Sequence, residues 1–182
     1  MEKPNLFEKR FERMHNTIDL VPTEIEDLDL IMSWESKEPN VTSWSREKHE
    51  TTLNNPHFLH LLVSRKSVDV IPVGYSILEK DSPNESSVEF IRLVISDEYK
   101  NKGYGVLAFE NIWDLVFNKL KYSRIWHDVF VENEKAVKLY EKLGYKKFKT
   151  SIDPTSGRNL IFYEMSSNDY LSRGKVDSAS GI

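Results

Sequence analysis

Apolar residues recur at two spacings along this chain, and the alternation between the two lays out strands and helices in turn. Residues 17–21 read as a short strand. Pro22, Thr23 and Glu26 follow with the spacing of a capping box, which predicts a helix through Trp34 with Ile25, Leu28, Ile31 and Met32 turned inward. Residues 45–53 form a second, less apolar helix. Residues 58–64 and 70–78 are β-rich runs joined through the turn-like segment 65–69, and so read as paired strands. Ser82-Pro83-Asn84 breaks the chain before residues 88–95, a strand nearly apolar on both faces, as a central strand is.

From Gly105 onward, Val106, Phe109, Trp113, Val116 and Leu120 keep helical period to about Lys121, the clearest helix in the sequence. Residues 125–131 return to strand character. Asn133 caps a helix through Leu143, and Gly144 followed by Tyr145 has the form of a left-handed stop with an apolar residue after it. Residues 145–149 and 160–165 read as closing strands joined through Asp153-Pro154-Thr155-Ser156-Gly157. No internal repeat is visible. The expected organisation is one α/β domain over residues 16–166. Before it, residues 1–15 carry Leu6, Phe7, Phe11 and Met14 at helical spacing, an amphipathic helix able to pack on the domain or on a second copy in a homodimer. After it, the Ser-, Asp- and Gly-rich residues 167–182 are expected to be disordered.

Composition narrows the chemistry. A chain of 182 residues suits one domain, and a net charge of −4 with interspersed signs gives no field for nucleic acid or an anionic membrane. Cysteine is absent, which removes disulfides, thiolate metal sites and cysteine nucleophiles together. The first residues lack the apolar run of a signal peptide, no window approaches a membrane span, and a cytoplasmic protein is expected.

The segment Lys100-Asn101-Lys102-Gly103-Tyr104-Gly105 lies between the best strand and the best helix, where unpaired backbone N–H groups can bind phosphate. The two glycines allow close approach, and Lys100 and Lys102 add positive charge. It is not a P-loop, which needs Gly-Lys-Ser or Gly-Lys-Thr. A dinucleotide fingerprint could place Ala108 at its third small position, but several strands precede this one and no acidic ribose partner closes the next. A plain tight turn is the other reading.

Downstream, Asn133-Glu134-Lys135-Ala136-Val137-Lys138-Leu139-Tyr140-Glu141-Lys142-Leu143-Gly144-Tyr145 follows a strand, with Asn at its cap and Tyr one turn from its end. In this order, about 30 residues apart, the two segments resemble the motifs of the GNAT superfamily of acyl-CoA-dependent N-acetyltransferases. The resemblance implies a GNAT fold, a twisted mixed sheet of about six to seven strands flanked by helices, with the central strands splayed near residues 93–95 and 125–131 around acetyl-CoA. It implies that Lys100, Asn101, Lys102, Gly103, Tyr104 and Gly105 hold the pyrophosphate, with Lys100 where the family more often has Arg or Gln. It also implies that Leu93, Val94 and Ile95 pair with the pantetheine arm, one of their N–H groups polarising the thioester carbonyl, and that Asn133 contacts the cofactor as well as capping its helix. Tyr140 matches the position that protonates the departing thiolate; a core tyrosine is its plainer reading. No metal is required.

An attacking ammonium must first lose a proton, and Glu89, on the strand that leads to the turn, resembles the glutamate base of some histone-acetylating members. Strand alternation would set it on one face with Ile91, Leu93 and Ile95; pairing with Arg92 or simple solvation are the alternatives, as is water as the base. Among other features, His57 and His60 are expected on opposite faces of a strand, and His127 and Asp128 diverge likewise, which argues against a metal pair and a dyad. Glu24, Glu26, Asp27, Asp29, Glu35 and Glu38 make the first helix region acidic, either a solvated face or a lure for a cationic amine. The resulting expectation is acetyl transfer to a primary amine of a small molecule or a protein N-terminus. A catalytically silent acyl-CoA-binding domain would carry the same turn.

Overall fold

The structure, a computed structural model, describes residues 18–66, 70–81 and 86–179. Within these residues, seven strands form one mixed sheet: β1 (Ile18–Pro22), β2 (Phe58–Arg65), β3 (Ile71–Lys80), β4 (Ser87–Ile95), β5 (Arg124–Phe130), β6 (Lys146–Ile152) and β7 (Asn159–Ser166), in the order β1-β2-β3-β4-β5-β7-β6. Five helices accompany them: α1 (Leu28–Glu35), α2 (Arg46–Leu53), α3 (Tyr104–Trp113), α4 (Glu134–Lys142) and α5 (Ser167–Ala179). This is the helix-flanked sheet expected from the periodicities, and it is mixed as the resemblance implies. The expected N-terminal helix and the Ser82-Pro83-Asn84 break lie outside the described residues, as does most of the turn 65–69. The chain divides into two compact units, Met1–Glu79 with Ile91–Leu115 and Lys80–Phe90 with Val116–Ile182, so that β4 contributes to both.

In the first unit, β1 pairs antiparallel with β2, and β2 with β3. Gly74 faces Val63 while Pro72 faces Ser64, which leaves Val73 as the extra residue of a bulge. That extra residue changes which side Val73 serves. Tyr75 and Ile77 pack with Leu28, Ile31 and Trp34 of α1, whereas Val73 packs with Ile18, Val63 and, from α3, Leu107 and Ala108. Two apolar layers thus cover the unit's strands, and their burial supplies most of its stabilisation. The helix before Trp34 starts later than the Thr23 cap predicts. Glu24 and Asp27 form the capping box, Glu24 N–H donating to Asp27 Oδ2 at 2.8 Å, and a 3₁₀ turn at Ile25–Asp27 precedes α1. The shift turns the buried face: Ile25 is 48% exposed and Met32 half-buried, while Trp34 and Glu35 point in. The helix expected over residues 45–53 is α2, with Ser45 as its cap, accepting from Lys48 N–H.

In the second unit, β5 and β6 flank β7 antiparallel, and β4 pairs parallel with β5 from Ser87↔Arg124 to Glu89↔Trp126. The helical period predicted to Lys121 holds through Trp113 and then changes: after α3 the turns widen to a π-helix over Asp114–Lys119 that keeps Val116 and Phe117 buried, while Leu120, beyond its end, is 40% exposed. The expected disorder after Ser166 is corrected for residues 167–179, which are helical. Ser166 and Asp169 cap one another at the start of α5, Tyr170 packs on Phe117 with ring centroids 5.2 Å apart, and Arg173 Nη1 donates to Leu143 O at 2.6 Å. Composition concealed this helix because tertiary contacts, not propensity, anchor it.

Candidate active site

Within the first unit, β4 runs into the turn that the sequence singles out. Ser96 N–H donates to Val73 O at 2.9 Å, so the β3 bulge holds the end of β4. Gly74 permits this contact: a Cβ there would lie 2.3 Å from Val94 O and 2.9 Å from Ile95 Cδ1. Sequence reading placed Gly74 within a strand and missed its role, although an isolated glycine in a strand is a signal for a bulge or a close backbone approach. Leu93, Val94 and Ile95 therefore sit on a main chain fixed by two neighbours. The expected shared face is kept in exposure, since Glu89, Ile91, Leu93 and Ile95 are all half-buried, but not in packing: Ile91 lies against the α1 cluster and Leu93 against the α3 cluster.

After a 3₁₀ turn at Asp97–Tyr99, the backbone twists through two left-handed residues, Asn101 at φ 59° and Gly103 at φ 89°, and Gly103 becomes the N-cap of α3. Leu107 N–H closes onto Gly103 O at 3.2 Å. The N–H groups of Tyr104, Gly105 and Val106 belong to the first turn, where an α-helix has no partners of its own to offer, and the helix dipole favours an anion there. Gly105 is the informative residue. A Cβ at this position would meet only Ile95 Cγ1, at 3.9 Å, an ordinary contact, and its φ is not positive. Neither packing nor backbone angle calls for glycine, and the missing side chain leaves the first turn of α3 open at this point.

The two lysines of the turn part company. Lys102 is exposed, its Nζ 5.5 Å from the ring centre of Tyr99. Lys100, expected to face the phosphates, donates instead to Glu38 and, at 2.6 Å, to Asp97; these carboxylates push its pKa up, and it in turn lowers that of Asp97. Glu38 and Asp97 belong to the walls of a cleft of about 260 Å³ lined by Trp34, Lys37, Glu38 and residues 95–98.

Glu35 has a different environment from its acidic neighbours. It is 1% exposed and accepts from Arg92 Nη1 at 2.6 Å, Trp44 N–H at 2.9 Å and the Tyr75 hydroxyl, with His49 Nε2 3.2 Å away. Burial alone would raise its pKa, but His49, Tyr75, Trp44 and Arg92 together outweigh it and hold the carboxyl at about 2. It is therefore a structural anion and neither a base nor a surface charge. Arg92, weighed from sequence as a partner of Glu89, serves Glu35. His60 Nε2 contacts Thr52 Oγ1 at 3.0 Å, and burial leads the causes that lower its pKa to about 4; His57 lies in the turn before β2, not on the strand.

The second unit holds Glu89, Asn133 and Tyr140. Glu89 is half-buried on β4. Asn133 caps α4, its Oδ1 accepting from Ala136 N–H at 3.3 Å, a bond that does not use its amide hydrogens. Gly144, at φ 82°, ends the segment with the left-handed turn expected of it. Tyr140 packs with His127, ring centroids 4.0 Å apart, and with Tyr145 and Tyr163 near 6 Å. Burial, then the nearby Asp128 charge, raises the pKa of its phenol, which is therefore protonated at neutral pH. His127 is 1% exposed, neither ring nitrogen has a hydrogen-bond partner, and burial lowers its pKa to about 3. It is a neutral member of an aromatic cluster. Among the described residues no group of three or more acidic or histidine side chains is gathered as a metal site, and no helix is long and apolar enough to cross a membrane.

Residues 25–145 match the model of the Acetyltransferase (GNAT) family. The chain belongs to that family. Spermidine N(1)-acetyltransferase of Escherichia coli K12 is 28% identical over 138 residues, which cover 71% of this chain and 73% of the relative. Among solved structures, spermidine/spermine N-acetyltransferase SpeG from Vibrio cholerae in complex with manganese ions has a TM-score of 0.72 at 21% identity, covering 88% of this chain and 98% of that one. A point mutant of the same Vibrio cholerae enzyme gives 0.75 at 20% identity, covering 87% and 98%. The seven-stranded sheet is thus the GNAT fold, and this GNAT protein is an acyl-CoA-dependent N-acetyltransferase with acetyl-CoA as its donor.

Proposed function

We propose that this N-acetyltransferase acts on a primary amine of a small polycation, a polyamine being the acceptor class. The observation that carries this reading is the cleft of the first unit, where Glu38, Asp97 and Glu98 gather beside Trp34. Carboxylates and an aromatic wall are what a chain of ammonium groups needs for recognition. Two spermidine acetylating relatives point the same way.

Each residue then has a stated task. The first-turn N–H groups at Tyr104 and Gly105, reached through Asn101 and Gly103 and helped by Lys102, hold the diphosphate of acetyl-CoA, and Asn133 contacts the same cosubstrate through its amide. One N–H of Leu93, Val94 or Ile95 polarises the thioester carbonyl and stabilises its oxyanion as the amine attacks. Glu89, directly or through water, removes the proton that the ammonium must lose. Tyr140 supplies a proton to the departing thiolate, a task suited to a phenol that burial keeps protonated.

A thiol-release assay with acetyl-CoA against polyamines, aminoglycosides, amino acids and N-terminal peptides tests the acceptor. Turnover of spermidine is expected; turnover of another class with none on polyamines would overturn the acceptor assignment. In the same assay Tyr140→Phe should lower kcat about 10²-fold with little change in KM for acetyl-CoA, and an unchanged kcat would remove Tyr140 from the mechanism.

A further inference from the structure

Lys100 stands in the turn proposed to bind phosphate, yet its ammonium lies on two carboxylates, Glu38 and Asp97, that both line the cleft. The two neighbours differ in how firmly they hold it. Asp97 is 62% exposed and only three residues away, whereas Glu38 is 20% exposed and 62 positions distant in sequence. Lys100 itself is 32% exposed on a flexible stem, so it can exchange one partner for another without unpacking the core. A diphosphate arriving at the first turn of α3 brings more negative charge than the carboxylates offer, and it does so beside the backbone of Lys100.

We infer that Lys100 is a charge latch: without cosubstrate it pairs with Glu38 and Asp97, and when the diphosphate of acetyl-CoA binds it passes to the phosphates, leaving both carboxylates for the ammonium groups of the acceptor. The acceptor half of this statement rests on the polyamine reading above. The nearby charges fit such a transfer. Lys37 and Glu98 remain in the cleft wall throughout, so the departure of Lys100 makes the cleft more negative by one charge and favours a cation only once the donor is in place. Cosubstrate and acceptor then promote each other's binding, as linkage requires of any coupling between two sites.

The test measures coenzyme A binding by calorimetry to the wild type, Glu38→Gln, Lys100→Met and the double variant, and spermidine binding with and without saturating coenzyme A. The latch predicts that Glu38→Gln tightens coenzyme A at least threefold in the wild-type background and leaves it unchanged in the Lys100→Met background. It also predicts that coenzyme A raises spermidine affinity in the wild type, and that Lys100→Met binds spermidine equally well with and without coenzyme A. The same gain from Glu38→Gln in both backgrounds would be long-range electrostatics and would overturn the latch, as would no gain in either. If no variant binds spermidine, the acceptor reading fails while the coenzyme A comparison still decides the latch; if none binds coenzyme A, the latch falls as well.

Discussion

Gly74 and Gly105 stand within one unit, and neither needs glycine for its backbone angles, since the described glycines with positive φ are Gly103, Gly144 and Gly157. Their surroundings are opposite. A Cβ on Gly74 would collide with the Val94 carbonyl at 2.3 Å, whereas a Cβ on Gly105 would rest 3.9 Å from Ile95 Cγ1. The first glycine is explained by the chain itself; packing within the chain does not explain the second, which the proposed diphosphate site would. The same contrast separates two buried polar groups. Glu35 has its carboxylate filled by Tyr75, Arg92 and the Trp44 amide, while His127 sits among Phe90, Tyr140, Tyr145 and Tyr163 with both ring nitrogens unpartnered.

If groups explained by the chain are structural, removing them should cost stability. Glu35→Ala strands the Arg92 guanidinium, 9% exposed, and should destabilise the fold by about 3–5 kcal/mol in urea unfolding, the largest effect expected here. Its pH dependence follows from a folded pKa of about 2 against 4.5 for a free carboxyl. The contribution is complete above pH 4.5 and declines as the pH falls toward 2, so the stability gap between wild type and variant should narrow over that interval and stay constant above it. Gly74→Ala overpacks β3 against β4 and should cost about 1–3 kcal/mol; a variant as stable as wild type would mean that the bulge is not held by close approach.

His127→Leu sharpens the other side. Replacing an unpartnered buried imidazole by an apolar side chain should raise stability by about 1 kcal/mol or leave it unchanged. Because His127 is depressed to about 3 when folded, the unfolded chain gains a proton first on acidification, and wild-type stability declines below about pH 6.5. The advantage of His127→Leu should therefore grow as the pH falls from 6.5 toward 3. A loss of several kcal/mol would show a polar role for His127 that its surroundings do not display.

What was legible in the sequence was local. The 3.6-residue period of Val106, Phe109 and Trp113, the Asn133 cap and the Gly144 stop depend on neighbours within a turn or two, and all appear in the structure. What was illegible depends on distant partners. Lys100 meets Glu38 across 62 positions and Glu35 meets Arg92 across 57, so no spacing rule could reveal that one lysine of the turn is engaged elsewhere or that one acid of the first helix region is interior. The late start of α1 turned on a one-residue choice between Thr23 and Glu24 as the cap, and the final helix on contacts of Tyr170 and Arg173 with residues far upstream. The glycines of the turn were legible because a left-handed angle at Gly103 and open space at Gly105 are properties of the local backbone.

Gly105→Ala therefore carries the central claim, that the start of α3 is shaped for a diphosphate. Calorimetric titration with coenzyme A, alongside thermal unfolding of the free protein, should show affinity reduced at least tenfold while the melting temperature holds or rises, since alanine is worth up to about 1 kcal/mol over glycine inside a helix. Undiminished affinity for coenzyme A in a folded Gly105→Ala protein would contradict it.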